Sequence, residues 1–175
     1  MESKEKREYF KLPNKKVNLY TSLMCREGIL TQDNKVLLVL LNGFGRSFLD
    51  FQSLRKSLHK RHDNLVTLSL DNRFSGRTQV SNDEDASIPT MAEDVLFLVK
   101  HFMEKFNFKS FNLLGISMGG MIAQCVAASS PFLNKLILVS TTLGGSLRVY
   151  SKEAQSKAFD EHSKESFKER FSKYV

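Results

Sequence analysis

The sequence predicts an α/β fold of three layers, with helices on both faces of a mostly parallel sheet. Short, continuous apolar runs alternate with helical patterns along most of the chain. Such runs are typical of strands that are covered on both faces, and the alternation requires crossover connections between parallel strands. A third observation is a glycine-rich turn between one of these strands and the helix after it.

Four apolar runs are the predicted parallel strands. They are Val36 to Leu41, Leu65 to Leu70, Phe111 to Leu114, and Lys135 to Ser140. Before them, Lys16 to Met24 alternates apolar and polar residues as a half-buried strand does, and the preceding LPNKK contains turn residues. We therefore predict an antiparallel hairpin at the N-terminal edge of the sheet.

Two of the predicted helices flank the apolar runs closely. One runs from Phe48 to about Lys60. Its predicted buried side consists of Phe51, Leu54 and Leu58. The other runs from Met118 to about Ser129, and Pro131 stops it.

The longest helix is predicted from a capping signal and a long apolar stripe. Thr90 follows Pro89 and forms a T-x-x-E capping box with Glu93. The stripe then consists of Val95, Leu98, Val99, Phe102 and Phe106. The acidic segment before it, Gln79 to Ser87, is predicted to be a loop.

The chain is basic, with 26 Lys and Arg against 19 Asp and Glu, which gives a formal net charge of +7. Such a balance can indicate binding to nucleic acid or to an anionic membrane. Here the basic residues are spread among acidic ones from Glu2 to Lys173. We therefore expect a solvated basic surface and no nucleic-acid partner, and binding of a polyanion is the alternative.

Cysteine content and hydropathy limit the class of protein further. The chain has two cysteines, Cys25 and Cys125, too few for a disulfide framework or a metal cluster, so we expect no metal. The first ten residues lack the apolar core of a signal peptide. The longest apolar run, Val36 to Leu41, is too short to cross a bilayer. We expect a cytoplasmic protein without a membrane span.

The functional signal is the hexapeptide Gly115-Ile116-Ser117-Met118-Gly119-Gly120, between a predicted strand and a predicted helix. It matches G-x-S-x-G, in which a sharp turn presents the serine hydroxyl above the sheet. Gly115 and Gly119 allow the neighbouring backbones to pass closely, and the N–H of Met118 can face a developing oxyanion. The alternative is a tight turn whose serine only caps the helix.

A second glycine-rich segment, Asn42-Gly43-Phe44-Gly45-Arg46-Ser47, follows the first apolar strand. A strand end opposite the serine turn is where a second oxyanion donor is needed. The N–H of Phe44, after the turn residue Gly43, is the candidate donor. The alternative is a plain glycine turn that leads into the first helix.

NGFGRS, DNRFSGRT (Asp71 to Thr78) and GISMGG, in this order, resemble the strand-end motifs of the α/β-hydrolase superfamily. The esterase, lactonase and carbon–carbon hydrolase branch is most similar, over about Lys16 to Thr142. The resemblance implies that Ser117 is the nucleophile of an acyl-enzyme mechanism, with the Phe44 and Met118 amides as the oxyanion hole. It implies a small carboxyl ester, lactone or thioester as substrate, and no cofactor.

The sequence departs from the family pattern at two positions. Family members commonly have histidine where Asn42 stands and glycine where Phe74 stands. Because asparagine also bonds its local backbone, we expect Asn42 to preserve the turn. Phe74 replaces a permissive glycine near the pocket, so we expect it to alter substrate access.

The general base is the missing part of the pattern. In this family an acid and then a histidine follow the serine, and of His59, His62, His101 and His162 only the last follows Ser117. His162 lies in a charged segment, where a surface histidine is the expected interpretation. We therefore expect the acid and the histidine to be absent from this chain, which would leave it inactive or incomplete as an enzyme.

We interpret the chain as the N-terminal part of a hydrolase, truncated after the strand that follows the nucleophile helix. Residues 1–145 would be the core, and 146–175 a charged helical tail (Ser151 to Tyr174) that begins a cap. The exposed edge of the last strand would then permit self-association. The alternatives are a non-catalytic binding or scaffolding protein, and a subunit whose partner supplies the missing strands.

Overall fold

The structure is a computed structural model that describes residues 3–13 and 15–143. Its strands are β1 (Ser3–Lys11), β2 (Val17–Arg26), β3 (Val36–Leu41), β4 (Leu65–Leu70), β5 (Gln79–Val80), β6 (Phe111–Ile116) and β7 (Leu133–Val139). Its α-helices are α1 (Gln52–Arg61), α2 (Ile88–Phe106) and α3 (Met118–Ser129). Short 3-10 helices cover Ile29–Thr31 and Phe48–Phe51.

The strands form one sheet in the order β1-β2-β4-β3-β6-β7, and β5 pairs with β2. The four strands β4, β3, β6 and β7 are parallel, whereas β1, β2 and β4 pair antiparallel. The predicted α/β fold with a mostly parallel sheet and an N-terminal hairpin is therefore confirmed. Because parallel strands end at the same edge, the loops after β3, β4, β6 and β7 meet there.

The main apolar core lies between the sheet and the helices α2 and α3. It joins buried residues of α2 and α3 to alternate residues of the strands, such as Val66 and Leu68 of β4. The intervening residue of β4, Thr67, points to the opposite face because strand side chains alternate. There Arg55 of α1 contacts it, so α1 covers the second face and completes three layers.

The predicted buried side of the first helix is confirmed for Phe51 and wrong for Leu54 and Leu58. Leu54 is exposed and Leu58 is only half-buried, whereas Arg55 and His59 are buried. Arg55 is paired with Glu5 of β1 at 3.1 Å and donates to Ser22 and Thr67, and His59 contacts Thr67 at 3.0 Å. These polar partners stabilise a buried charge that an apolar periodicity does not detect. We call Glu5, Ser22, Arg55, His59 and Thr67 the polar layer.

The predicted capping residue of α2 is also wrong, by three positions. Helix α2 begins at Ile88, and its N-cap is Ser87, whose hydroxyl accepts a hydrogen bond of 3.3 Å from the N–H of Thr90. Thr90 thus lies within the first turn and is not the cap. The apolar stripe is as predicted, with Val95, Leu98, Val99 and Phe102 buried.

Strand β7 forms the outer edge of the sheet next to β6, the strand that leads into Ser117. Its residues Leu136 to Val139 are 37–45% exposed. On the α1 face of β6, Leu114 and Ile116 are also only half-buried. The prediction that every parallel strand is covered on both faces is therefore wrong for β6 and β7 among the described residues. The predicted tail and His162 lie outside the described residues.

Candidate active site

Ser117 lies at the junction of β6 and α3, where the chain turns sharply. Its φ of 54° and ψ of −120° are rarely adopted by residues other than glycine. Ser117 is exposed and occupies the N-cap position of α3, but its side chain makes no capping hydrogen bond. The interpretation that this serine only caps the helix is therefore wrong.

The glycines of the motif allow backbones to pass without a Cβ between them. A Cβ on Gly115 would overlap the carbonyl of Gly119, and a Cβ on Gly119 would overlap the carbonyls of Leu41 and Asn42. These overlaps join β6, the first turn of α3 and the end of β3. The spacing of the two glycines around the serine thus follows from steric exclusion.

The loop after β3 lies directly beside the serine. A Cβ on Gly43 would be 3.3 Å from Cβ and 3.7 Å from Oγ of Ser117. Both residues line a pocket of about 360 Å³, together with Asn42, Phe44, Arg46, Asp50, Phe51 and Ile116. The structure therefore brings together the two glycine-rich segments that the sequence singled out.

The two residues predicted to supply oxyanion donors, Phe44 and Met118, lie at or next to this pocket. Met118 is the first residue of α3, and the first N–H groups of a helix have no partner within it. They also lie at the positive end of the helix dipole, which favours developing negative charge. Phe44 lines the pocket on the opposite loop and follows Gly43.

Asn42 fixes the loop that carries Gly43 and Phe44. Its side chain is buried and donates a hydrogen bond to the carbonyl of Ser47. Asn72 donates in turn to the carbonyl of Asn42 at 3.1 Å. The expectation that Asn42 bonds its local backbone and preserves the turn agrees with these contacts.

Asp71 directly follows β4 and connects the segment after β3 to the segment after β4. Its carboxylate accepts hydrogen bonds of 2.8 Å from the N–H groups of Phe48 and Arg77. Burial raises the pKa of Asp71 above its usual range, although these N–H donors act in the opposite direction. A Cβ at Gly76 would overlap this carboxylate, so Asp71 and Gly76 fit together.

Phe74 adopts the conformation that glycine prefers, with φ at 56°, and is half-buried. Next to it, Arg73 is fully buried and forms a two-point ion pair with Asp94 of α2, at 2.5 and 2.9 Å. Arg73 therefore fixes the segment after β4 to α2. Among the described residues that line the serine pocket, Phe74 is not present, and its effect on access stays a prediction.

Two histidines of the described part of the chain, His59 and His101, pack against residues outside the serine pocket. His59 belongs to the polar layer, and its pKa is lowered to about 4 by burial and by the charges of Arg55 and Arg26. The ring of His101 packs against Phe10 with centroids 4.9 Å apart. The residues that line the pocket in the described part of the chain include no histidine.

A larger cavity of about 610 Å³ lies at the opposite end of β6. It is lined by Phe111, where β6 begins, and by Phe132, just before β7, with residues of α2 and the end of α3. Ser117 follows the other end of β6. Because Ser117 lines the smaller pocket and stands at the N-terminus of α3, we place the candidate site there.

Within residues 3–13 and 15–143, no three His, Cys, Asp or Glu side chains are grouped to hold a metal ion. Over the same ranges, no helix combines the length and the apolar character needed to cross a membrane.

Comparison with known proteins supports the fold that the strand–serine–helix geometry indicates. A sequence model of the alpha/beta hydrolase fold matches residues 36–175. The chain belongs to the α/β-hydrolase family. In this member of the α/β-hydrolase family, the order of elements around Ser117 is the one that the sequence motifs predicted.

Curated relatives of this member of the α/β-hydrolase family include protein phosphatase methylesterases. The chain is 31% identical to protein phosphatase methylesterase 1 of Schizosaccharomyces pombe over 119 residues, which cover 66% of this chain and 35% of the relative. It is 34% identical to the human protein of the same name over 110 residues, which cover 62% of this chain and 28% of the relative. The chain thus spans about a third of the length of these relatives.

Solved structures of hydrolases share the fold. A carboxyl esterase from Bacillus coagulans aligns with a TM-score of 0.61 at 25% identity, over 77% of this chain and 43% of that chain. A carboxylesterase from Nitrososphaera gargenis aligns with a TM-score of 0.68 at 18% identity, over 87% of this chain and 51% of that chain. The second likeness concerns the fold alone.

Some residues that shape the site were not found from the sequence. Asp71 belongs to the motif DNRFSGRT, but its role in joining two loops follows only from its contacts with backbone N–H groups. Thr141 contacts the carbonyl of Ser117 from 24 residues further along the chain. No local spacing signal links Thr141 to the turn.

Proposed function

We propose that this chain supplies the nucleophile and the oxyanion hole of a serine esterase. Ser117 attacks the carbonyl carbon of a small carboxyl ester, lactone or thioester, and the Phe44 and Met118 N–H groups stabilise the oxyanion. The exposed hydroxyl of Ser117, on a strained turn against Gly43, is the observation that carries this proposal.

The reaction would proceed through an acyl enzyme. The bond from Ser117 Oγ to the carbonyl carbon forms while the bond to the leaving alcohol or thiol breaks, and the leaving group takes up a proton. Water then hydrolyses the acyl enzyme and releases the acid. The serine proton must pass to a base, and the described lining of the pocket offers no histidine for this step.

The relatives favour one class of ester. Two of them carry the name protein phosphatase methylesterase, and a neighbouring structure is a carboxyl esterase. We therefore propose a carboxyl ester with a small alcohol part, such as a methyl ester.

A fluorophosphonate probe tests the nucleophile in the 175-residue chain. Because the described pocket lining offers no histidine as a base, we expect slow covalent labelling, which is lost in Ser117→Ala and kept in the control Ser57→Ala, since Ser57 is exposed on α1. Hydrolysis of p-nitrophenyl acetate should show the same dependence, and methanol release from a peptide carboxyl methyl ester would support the proposed class. Intact mass spectrometry and absorbance measure these outcomes.

The rival is a non-catalytic binding protein, which the absence of histidine from the described pocket lining favours. A chain that is folded by circular dichroism, remains unlabelled, and binds an acyl-ester analogue without turnover would support this rival and contradict the esterase.

A further inference from the structure

The second glycine after the serine, Gly120, is not required by the reaction itself. A Cβ at Gly120 would lie 2.5 Å from Cβ and Oγ1 of Thr141, so this position keeps space for a residue that follows β7. We propose that Thr141 is a positioning residue that holds the strained backbone of the nucleophile. This inference rests on the proposed role of Ser117.

The contact is a short hydrogen bond from a side chain to the backbone. Thr141 Oγ1 donates to the carbonyl oxygen of Ser117 at 2.6 Å. The same carbonyl begins the hydrogen bonding of α3, because it accepts from Gly120 N at 2.9 Å and Met121 N at 3.3 Å. The N–H of Ser117 donates to the carbonyl of Val139 at 3.0 Å. The peptide groups on both sides of Ser117 are therefore hydrogen-bonded to residues at or just after the end of β7.

The chain after β7 is shaped so that Thr141 reaches the turn. Ser140 has a φ of 46°, which changes the direction of the chain immediately before Thr141. Gln124 of α3 donates to the carbonyl of Thr142 at 3.1 Å. The residues on both sides of Thr141 are thus constrained, and its hydroxyl is directed at the Ser117 carbonyl.

The backbone of Ser117 needs such support. Its φ of 54° and ψ of −120° persist only where surrounding contacts over-determine them. Without the Thr141 hydroxyl, the Ser117 carbonyl can rotate and fewer molecules direct Oγ into the pocket. The pocket wall at Gly43 and Phe44 is unchanged, so the rate of bond formation should fall while the affinity for a ligand is kept.

Thr141→Val removes the hydroxyl at nearly constant shape, and Thr141→Ser restores it. We expect the maximal rate of fluorophosphonate labelling, kinact, to fall about two- to tenfold in Thr141→Val, with KI unchanged and with rescue by Thr141→Ser. Thr31→Val is the matched control, because Thr31 Oγ1 donates to the carbonyl of Gly28 at 2.8 Å in a separate turn. This control should leave kinact unchanged.

Amide hydrogen exchange gives a second readout that does not require reactivity. Thr141→Val should increase exchange at the N–H groups of Ser117 and Gly120 by about two- to tenfold, and Thr141→Ser and Thr31→Val should not. If the unsubstituted chain is not labelled, the proposed function fails but exchange still decides the role of Thr141. Unchanged kinact and exchange in a folded Thr141→Val chain would overturn the inference.

Gly120→Ala tests the same contact from the other side. Its added Cβ should displace Thr141, so Gly120→Ala combined with Thr141→Val should slow labelling less than the product of the two single effects. Fully multiplicative effects would contradict a shared contact.

Discussion

The turn at Ser117 and the polar layer under α1 are stabilised in opposite ways. At the turn, Gly115 and Gly119 leave out side chains so that backbones can meet. Under α1, Arg55 fills a buried position and its donors contact Glu5, Ser22 and Thr67. Added atoms should therefore damage the turn, and removed atoms should damage the polar layer.

The largest expected effect is the loss of Arg55. Arg55→Ala leaves Glu5, Ser22 and Thr67 without their buried partner, which should lower the free energy of unfolding by about 3–5 kcal/mol. Urea unfolding followed by circular dichroism measures this change. The neighbouring control Lys56→Ala is exposed and should stay within about 0.5 kcal/mol. A loss below about 1 kcal/mol for Arg55→Ala would show that the charge contributes little.

An added methyl group should be nearly as damaging at the turn. Gly119→Ala places a Cβ against the carbonyls of Leu41 and Asn42, so we expect a loss of about 3 kcal/mol and no serine labelling. Gly28→Ala is the matched control, because Gly28 has φ at 76° but no atom within 4 Å of an added Cβ. It should lose only about 1 kcal/mol. Equal losses would mean that backbone strain, and not overlap, is the cause.

Acid should weaken the polar layer in two steps. Burial lowers the pKa of His59 from 6.5 to about 4, so its stabilisation is complete above pH 6.5 and is lost as pH falls towards 4. Burial would raise the pKa of Glu5, but hydrogen bonds from Arg7, Ser22 and Gln52 and the charge of Arg55 lower it from 4.5 to about 2. Its contribution is therefore lost between pH 4.5 and 2.

Each acid step should cost up to about 3 kcal/mol in the free energy of unfolding. Unfolding by urea at a series of pH values measures both steps. His59→Gln should remove the upper step and keep the lower one. An unfolding energy that is constant from pH 7 to 4 would contradict the burial of a neutral His59.

The smallest effect is a gain in stability. Ser117→Gly should raise the free energy of unfolding by about 1 kcal/mol, because glycine adopts a φ of 54° without strain, and it should abolish labelling. Thermal unfolding measures the gain. The matched substitution Ser57→Gly, on exposed α1, should instead lose about 1 kcal/mol. A loss of stability in Ser117→Gly would show that the turn is not strained.

Much of the fold was predictable because its signals are local. The boundaries of β3 and β4 match the apolar runs, since strands buried on both faces tolerate few polar residues. The buried face of α1 was mispredicted because Arg55 and His59 are buried through partners on β1, β2 and β4. Such pairing between distant elements produces no periodic pattern in the sequence.

In the candidate site, too, features with local signals were predicted and contacts between distant residues were not. Ser117 and its flanking glycines were predicted because steric exclusion fixes their spacing within one turn. Thr141 was missed because its contact joins residues 24 positions apart.

Outside the site, Ser87 was missed as the cap of α2 because Thr90 and Glu93 also satisfy a capping pattern. Only the hydrogen bond from the N–H of Thr90 to the Ser87 hydroxyl identifies Ser87 as the cap.

Strand β7 links Ser117 to the outer edge of the sheet. The carbonyl of Val139, its last residue, receives the N–H of Ser117, while the far side of the strand is unpaired within the described residues. A further strand paired with that edge would hold β7 in place and make the backbone of Ser117 more rigid. The orientation of the Ser117 hydroxyl would then depend on whether another strand is paired with β7.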